Sequence, residues 1–371
     1  MIPQIDLVRQ HLALRDELLA AVERVLTSGR FILGPEGEAF EAEVAALSGV
    51  RYGVGVASGT DAIRLALQAI GCGPGDEVIT SSFSFVASAS PVVQVGARPV
   101  FVDIDRETLN LDPAAVARAI TPQTRAIIPV HLFGHPAEMT PLQRLAGRHG
   151  VAIIEDAAQA LGASYDGRPV GGLGDLGCFS FYPTKNLGAC GDAGMVVTNR
   201  QDLADRVRRL RDHGATERYH HVELGWNSRL DEMQAALLRV KLRHFERWTE
   251  ARRRLAARYA SSLADLPLRL PVEWYPSRHA YHHYTVRTPE RDALAKSLAD
   301  AGIGTAMHYP HPLPAQPTFS ALGMRSEHFP VAWEASREVL SMPCFPELTD
   351  AEIDLVTSTI RHFWEGQKRH E

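Results

Sequence analysis

The chain contains 371 residues and four cysteines, and it carries a formal net charge of −5 at pH 7. Because a single hydrophobic core rarely grows to this size, the length predicts two domains of unequal size. The mild negative charge offers no basic face for nucleic acid, so we expect no nucleic-acid partner. The cysteines form no close pair with metal-ligand or redox spacing, which indicates free thiols in a cytoplasmic protein.

The N-terminal segment contains acidic residues and lacks the apolar core of a signal peptide, and no apolar run approaches the length of a membrane span. We therefore expect a soluble, cytoplasmic protein without a membrane partner.

The sixteen histidines include clusters at 220–221, 279–283 and 308–311. No histidine pair shows the helical i, i+4 spacing with an acid that is typical of a zinc site. We interpret these histidines as solvated or core side chains and predict no metal.

The first half of the chain predicts helices and short apolar strands. Helical periodicity over 12–27 ends at Ser28-Gly29-Arg30, and a second helix follows Pro35. Seven apolar runs predict strands, at 54–57, 77–80, 99–105, 126–130, 151–156, 178–181 and 194–198. Because helical or loop segments separate most of these runs, we predict an α/β fold with a large, mostly parallel seven-stranded sheet.

The last part of the chain predicts a smaller C-terminal α/β domain. A long or kinked amphipathic helix over about 230–263 joins it to the large sheet. Predicted elements then follow in order: a strand over 282–287, a helix over 291–302, a strand over 304–309 and a closing helix over 350–364. We place the large domain, including the N-terminal helix, at 1–245 and the small domain at 246–371.

Two side chains in the stretch 151–186 could serve one cofactor. Asp156 ends a predicted buried strand and should face a ligand crevice, and Lys185 follows a second short strand, with Ser180 between them. A carboxylate and an amine in one crevice suit pyridoxal phosphate (PLP), whose aldehyde forms a Schiff base with a lysine and whose ring nitrogen needs an anionic partner. Taken alone, the simpler interpretation is a surface lysine and a solvated strand end.

The turn after the first strand is a candidate phosphate site. Gly59, Thr60 and Asp61 open a helix, whose N-terminus presents free N–H groups and the positive end of the helix dipole. A threonine or aspartate in that position is more often only a helix cap.

A second glycine-rich stretch, 172–177, matches the dinucleotide fingerprint G-x-G-x-x-G, but a strand follows it where the fingerprint requires a helix. We therefore predict no nicotinamide or flavin site.

Eight motifs, in order along the chain, resemble the DegT-type (DegT/DnrJ/StrS) nucleotide-sugar aminotransferases, which are fold-type I PLP enzymes. They are ASGTDAIRLAL, GDEVI, PVFVDID, PVHLFG, VAIIEDAAQALGA, FSFYPTKNLG, GWNSRLDEMQAALL and HYPHPLPAQP. The resemblance extends from about residue 5 to about residue 360. It implies a dimeric aminotransferase of that fold.

The resemblance also implies roles for individual residues. Lys185 would form the Schiff base and move the proton between cofactor and substrate carbons, Asp156 would pair with the ring nitrogen, and Gln159 would contact the phenolic oxygen. The remaining implied cofactor contacts are Phe85 on the ring face, Ser180, Gly59 and Thr60 on the phosphate, and Asn227 on the same phosphate from the partner subunit. Without the family, Phe85 would be interpreted as a core phenylalanine.

The implied reaction transfers the amino group of L-glutamate to a keto group of a nucleotide-activated hexose, in amino-sugar biosynthesis. The HYPxPLxxQ pattern favours the C-3 keto position over C-4. His308 is a candidate substrate contact, and arginines such as Arg229 and Arg218 could meet the nucleotide diphosphate. Two alternatives stay open, namely a PLP-dependent nucleotide-sugar dehydratase and a non-catalytic sugar-nucleotide sensor, and the retained Lys185 argues against both.

Overall fold

The computed structural model describes residues 1–367, so the last four residues of the small domain predicted at 246–371 lie outside the described part. A seven-stranded sheet forms the centre of the molecule, with the order β1-β9-β8-β5-β4-β2-β3. Its strands are β1 (Tyr52–Val56), β2 (Glu77–Ser81), β3 (Arg98–Val102), β4 (Thr124–Ile128), β5 (Ala152–Asp156), β8 (Leu176–Ser180) and β9 (Gly194–Thr198). Only β9 runs antiparallel to its neighbours, which confirms the mostly parallel sheet of seven strands.

Seven shorter strands within residues 1–367 lie outside this sheet. They are β6 (Ser164–Tyr165), β7 (Arg168–Pro169), β10 (Ala215–Glu217), β11 (His220–His221), β12 (Ser277–Arg278), β13 (Tyr284–Arg287) and β14 (Val339–Met342). β10 and β11 form a two-stranded hairpin, and β13 and β14 form an antiparallel pair.

Thirteen α-helices lie within residues 1–367. They are α1 (Leu7–Ala13), α2 (Arg15–Ser28), α3 (Pro35–Leu47), α4 (Gly59–Ala69), α5 (Ser90–Gln94), α6 (Pro113–Ala119), α7 (Met139–His149), α8 (Gln201–Arg211), α9 (Glu232–Leu242), α10 (Phe245–Leu263), α11 (Arg291–Asp300), α12 (Pro330–Glu338) and α13 (Asp350–Gln367). None of the described helices combines the length and apolar character needed to cross a membrane.

Both faces of the large sheet are buried, because its strands are apolar on successive residues. One face packs in a core around Phe40, Ile127 and Phe179, and the other packs in a core that includes Ile63, Leu67 and Ile154. Since β2, β4, β5 and β8 run in the same direction, their carboxyl ends meet at one edge of the sheet. A ligand crevice is expected at that edge.

The C-terminal unit has its own core, built by β13, β14, α10, α11 and α13 around Tyr259 and Tyr284. The first residues of the chain join this core, because Ile2 is buried in it and pairs with Ile303 as a single parallel bridge. The predicted boundary at residue 245 stays a prediction, and these N-terminal contacts cross it.

Two predicted elements of the C-terminal half differ in the structure. The long or kinked helix over 230–263 is two helices, α9 and α10, separated by Arg243 and His244. The strand predicted over 304–309 does not form, since only Ala306 pairs with a neighbour, Ser341. Three prolines at 310, 312 and 314 follow and cannot donate to a ladder, and β14 instead pairs with β13.

The glycine-rich stretch that mimics a dinucleotide fingerprint binds a carboxylate of the protein itself. The N–H groups of Gly171, Leu173 and Gly174 donate to Glu155 at 2.7 Å each. His131 completes the site, with Nε2 2.9 Å from the same carboxylate and Nδ1 accepting the N–H of Ala137. The loop therefore holds a buried residue of β5, next to Asp156, and offers no free N–H cradle there.

Candidate active site

A cavity of about 540 Å³ opens at the carboxyl ends of β5 and β8, between the large sheet and the C-terminal unit. Its wall contains Asp156 from β5, Ser180 from β8, and Lys185 from the loop after β8. The first turn of α4 and the loop after β2 complete the side formed by the large sheet. The structure thus brings the predicted acid, lysine and serine to one cavity.

Lys185 lies in the cavity wall with its backbone N–H bonded to the carbonyl of Tyr182. Desolvation by burial lowers the pKa of its amine from 10.5 to about 8, although the nearby carboxylate of Asp156 opposes the shift. An amine with this pKa is neutral in a substantial fraction of molecules near pH 8. It can therefore act both as a nucleophile and as a proton carrier.

Asp156 is 5% exposed, so it is not a solvated strand end. One carboxylate oxygen accepts a hydrogen bond from Ser88 Oγ at 2.6 Å, and the other accepts from the N–H of Ala158 at 3.2 Å. Ser88 is in turn 2.8 Å from Ser84 Oγ, and both serines are buried. These contacts orient the carboxylate toward a cavity from which a ring nitrogen could bind it.

The N-terminus of α4 faces the same cavity through Ser58, Gly59 and Thr60. The side chain of Ser58 caps the helix by accepting the N–H of Asp61 at 3.2 Å. A Cβ atom on Gly59 would lie 2.6 Å from the Cβ of Ser180, so glycine permits the close approach of α4 to β8. Asp61 does not line the cavity, because its carboxylate binds Arg64 and Ser228.

Two further predicted residues line the cavity. Phe85 is 55% exposed, so it is not a core phenylalanine. Gln159 accepts the N–H of Phe133 at 2.7 Å and donates to the Tyr309 hydroxyl at 2.9 Å. Gln159 is therefore held in place from two sides, and one amide hydrogen stays available for a ligand.

His308 lines the side of the cavity formed by the C-terminal unit. Burial, and secondly the charge of Lys185, lower the pKa of His308 to about 4. Its Nδ1 lies 2.9 Å from Ser341 Oγ, and its ring stacks on His283 with the centroids 3.9 Å apart. Burial also lowers the pKa of His283 well below its usual value. Both imidazoles are therefore neutral hydrogen-bonding groups at pH 7.

Like Asp61, the predicted residues Asn227, Arg229 and Arg218 lie outside this cavity. Asn227 is exposed, and its backbone forms a bridge with Asp212. Arg229 binds the carboxylate of the same aspartate at 2.7 Å. The described lining of the cavity includes one lysine and no arginine.

Ser88, His283 and Gln4 are among the residues of the cavity wall that sequence reasoning missed. Ser88 belongs to the serine-rich run after β2, where no local pattern distinguishes it from its neighbours. His283 was grouped with solvated or core histidines. Gln4 lies far from every motif in sequence, and only the tertiary structure brings it to the site.

The cavity residues fit PLP group by group. A partly desolvated lysine matches the aldehyde, and a buried carboxylate matches the ring nitrogen. Ser180 and the N–H groups of the α4 N-terminus, which lie close together because residue 59 is glycine, match the phosphate.

Among residues 1–367 no cluster of three or more His, Cys, Asp or Glu side chains could hold a metal ion. All four cysteines are free thiols.

Comparisons with known proteins agree with this chemistry. The model of the DegT/DnrJ/EryC1/StrS aminotransferase family matches residues 13–361. A Geobacillus stearothermophilus protein named pleiotropic regulatory protein is 48% identical, with 98% of each chain covered. An Acidithiobacillus ferrooxidans protein named UDP-N-acetyl-3-dehydro-alpha-D-glucosamine 3-aminotransferase is also 48% identical, over 98% of each chain.

Solved structures show the same similarity in three dimensions. DesV from Streptomyces venezuelae, in complex with a ketimine intermediate, superposes with a TM-score of 0.96, with 48% identity and 98% of each chain covered. NtdA from Bacillus subtilis, with bound cofactor PMP, gives a TM-score of 0.87 with 32% identity, and the match covers 94% of this chain and 82% of NtdA.

Proposed function

This chain belongs to the DegT/DnrJ/EryC1/StrS aminotransferase family and is a PLP-dependent aminotransferase, and we propose that it moves the amino group of L-glutamate to the C-3 keto group of a nucleotide-activated hexose. The observation that carries the proposal is the pair formed by Lys185 and Asp156. The lysine has a pKa lowered to about 8, and the two side chains face one cavity.

Each side chain of the cavity has a separate role in the proposed reaction. When bound, PLP supplies an aldehyde for amine exchange and a ring that withdraws electrons. Asp156, fixed by Ser88, would hold the ring nitrogen protonated, and Phe85 would support the ring face. Ser180 and the first turn of α4 would bind the phosphate. The neutral Lys185 amine would accept a proton from a substrate carbon at its Nζ and donate it again, as a base of suitable pKa can.

The side of the cavity formed by the C-terminal unit supports the substrate class. His308 and Tyr309 are neutral hydrogen-bonding side chains there, which suits the hydroxyl groups of a sugar. The name of the Acidithiobacillus relative supports amination at C-3. Sugar hydroxyls alone give little net affinity over water, so the nucleotide diphosphate must supply further binding energy.

The anionic parts of the substrates and the cofactor phosphate are met by a second copy of the chain. The hairpin of β10 and β11 and the segment after it are exposed and carry Arg218, Asn227 and the apolar side chains Tyr219 and Leu224, which are 82% and 94% exposed. Because apolar side chains this exposed commonly mark an interface, they support a homodimer with shared active sites. Asn227 and Arg218 are the contributions that we assign to the partner.

A regulatory function is the second candidate, because the Geobacillus relative is named as a regulatory protein. A protein that only sensed sugar nucleotides would have no use for a lysine with a lowered pKa beside a buried carboxylate. The same pair, with lysine rather than another residue at position 185, also makes transamination a better interpretation than dehydration.

One experiment tests the proposal in two steps. Purified protein reconstituted with PLP should be yellow, and L-glutamate should bleach the visible band with formation of 2-oxoglutarate. The aminated enzyme is then mixed with a panel of 3-keto and 4-keto nucleotide sugars, and mass spectrometry detects the amino product. We expect amination of a 3-keto sugar and none with Lys185→Ala. A protein that glutamate does not bleach, or that aminates no member of the panel, would contradict the proposal.

A further inference from the structure

The first residues of the chain reach the active site. Ile2 pairs with the segment after α11, donating its N–H to Gly302 at 2.8 Å and accepting the N–H of Gly304 at 2.7 Å. The side chains of Gln4 and Ile5 then line the cavity that contains Lys185. Residues 2–9, which we call the N-terminal strap, thus cross from the C-terminal unit to the mouth of the site.

The strap is fixed at both ends. At one end the bridge from Ile2 to Ile303 holds it against the C-terminal unit. At the other, Asp6 caps α1 by accepting the N–H groups of Val8 and Arg9, and Arg9 forms two hydrogen bonds with Glu352 of α13 at 2.8 and 2.6 Å. A segment held in this way presents its side chains with little loss of conformational entropy on binding.

Gln4 is the polar side chain that the strap places in the cavity. Its Nε2 lies 3.4 Å from Nδ1 of His283, and that ring stacks on His308. Because the amide nitrogen can only donate, Nδ1 of His283 accepts and the ring carries its proton on Nε2. The Gln4 carbonyl oxygen and its second amide hydrogen have no partner among residues 1–367, so an acceptor and a donor stay free.

We propose that Gln4 is a specificity-determining residue that hydrogen-bonds a hydroxyl group of the hexose. This inference rests on the proposed function and adds a residue to it. Gln4, His283 and His308 contact one another and form a neutral wall of hydrogen-bonding groups, and the one cation in the described lining is Lys185. A neutral wall suits sugar hydroxyls and gives no advantage to the carboxylates of glutamate. Gln4 therefore contributes to the sugar half of the reaction and not to the glutamate half.

The two half-reactions separate this proposal from a general structural effect. Gln4→Ala is compared with the wild type in single-turnover reactions of the holoenzyme. The first follows bleaching of the PLP band by L-glutamate, and the second follows its return when the aminated enzyme meets the 3-keto nucleotide sugar that the wild type uses best. We expect the sugar concentration that gives the half-maximal rate to rise, and the second-order rate constant for the sugar to fall about five- to tenfold, as for loss of a neutral hydrogen bond, with the glutamate step unchanged.

Gln10→Ala is the matched control, because Gln10 lies in α1 and hydrogen-bonds Glu347 outside the cavity. It should leave both half-reactions at the wild-type rate. Equal rates for Gln4→Ala and the wild type with the sugar would overturn the proposal, and so would an equal loss in both halves, which would indicate a structural effect. A wild-type enzyme that fails to react with glutamate or with any sugar would instead contradict the proposed function. The wild type is therefore measured first, before any variant is compared with it.

Discussion

The lysine of the active site owes its reactivity to where it lies. Removal of water from its amine is the main cause of its pKa of about 8, and the attraction of Asp156 only partly offsets it. On the side of the cavity formed by the C-terminal unit, burial, and secondly the charge of Lys185, lower the pKa of His308 to about 4 and keep that ring neutral. Burial lowers both pKa values, but the amine starts from 10.5 and the imidazole from 6.5. The cavity therefore combines an amine that titrates near pH 8 with an imidazole that is uncharged at pH 7.

The pH dependence of PLP attachment tests the pKa of Lys185. Only the neutral amine attacks the aldehyde, and a lowered pKa makes the amine neutral at lower pH, so the rate of attachment to apo-enzyme should rise with pH through a midpoint near 8. Stopped-flow absorbance at the Schiff-base band measures this rate, with Lys185→Ala as the control that forms no band. A midpoint near 10.5, the value of an exposed lysine, would show that the amine is not desolvated.

The helix α4 and the strand β8 form the phosphate end of the site by close approach. The first turn of α4 lies so near β8 that a single added methyl group at Gly59 would come within 2.6 Å of the Ser180 Cβ. At Gly194, on the neighbouring strand β9, a Cβ atom would lie 2.3 Å from the backbone of Ser58. The sheet and the helix are thus packed by backbone contact, which leaves the N–H groups of the helix N-terminus directed at the cavity.

Gly59→Ala tests this packing. The added methyl group should displace Ser180 or the first turn of α4 and weaken PLP binding by roughly tenfold or more, because the phosphate loses hydrogen bonds to charged oxygens. Titration of apo-enzyme by absorbance or fluorescence gives the dissociation constant. Gly147→Ala is the control, since the glycine lies inside α7 with no atom within 4 Å of its added Cβ. That change should leave PLP binding intact and stabilise the protein by up to about 1 kcal/mol. Equal PLP affinity in Gly59→Ala and the wild type would contradict the predicted contact.

The cavity belongs to no single unit of the molecule. The large sheet supplies Lys185, Asp156 and Ser180, the C-terminal unit supplies His308, and the N-terminal strap supplies Gln4. The proposed homodimer would extend this division to a second chain through the exposed segment that contains Leu224 and Asn227. Transamination should therefore depend on contacts between these units, and between two copies of the chain, that lie far from Lys185.

Leu224→Glu tests the dimer. A charge on a side chain that is 94% exposed in one chain costs little in a monomer but is unfavourable in an apolar interface. We expect a shift toward monomer in analytical ultracentrifugation and at least a tenfold loss of transamination, with the fold retained by circular dichroism. Leu355→Glu is the control, because this leucine is 48% exposed on α13. An unchanged sedimentation coefficient for Leu224→Glu, with the wild type a dimer, would place the interface elsewhere.

The sequence alone determined the large sheet and the chemical type of the site. All seven apolar runs predicted as strands are strands of that sheet, because burial on both faces demands apolar residues on successive positions, and this requirement is local. Asp156 and Lys185 could be named for a similar reason, since Asp156 ends one predicted strand, Lys185 follows another, and parallel strands open at one edge. The eight ordered motifs identified the family, which the match over residues 13–361 confirms.

Only the tertiary structure decided which distant side chains complete the site. Gln4 meets His283 across 279 residues, and Ser88 meets Asp156 across 68, and neither contact leaves a local pattern in the sequence. The structure also decided that 304–309 is not a strand and that the glycine-rich loop binds Glu155. In each case the outcome depends on which distant group a side chain or backbone group contacts in the folded protein. Periodicity along the chain carries no information about that partner.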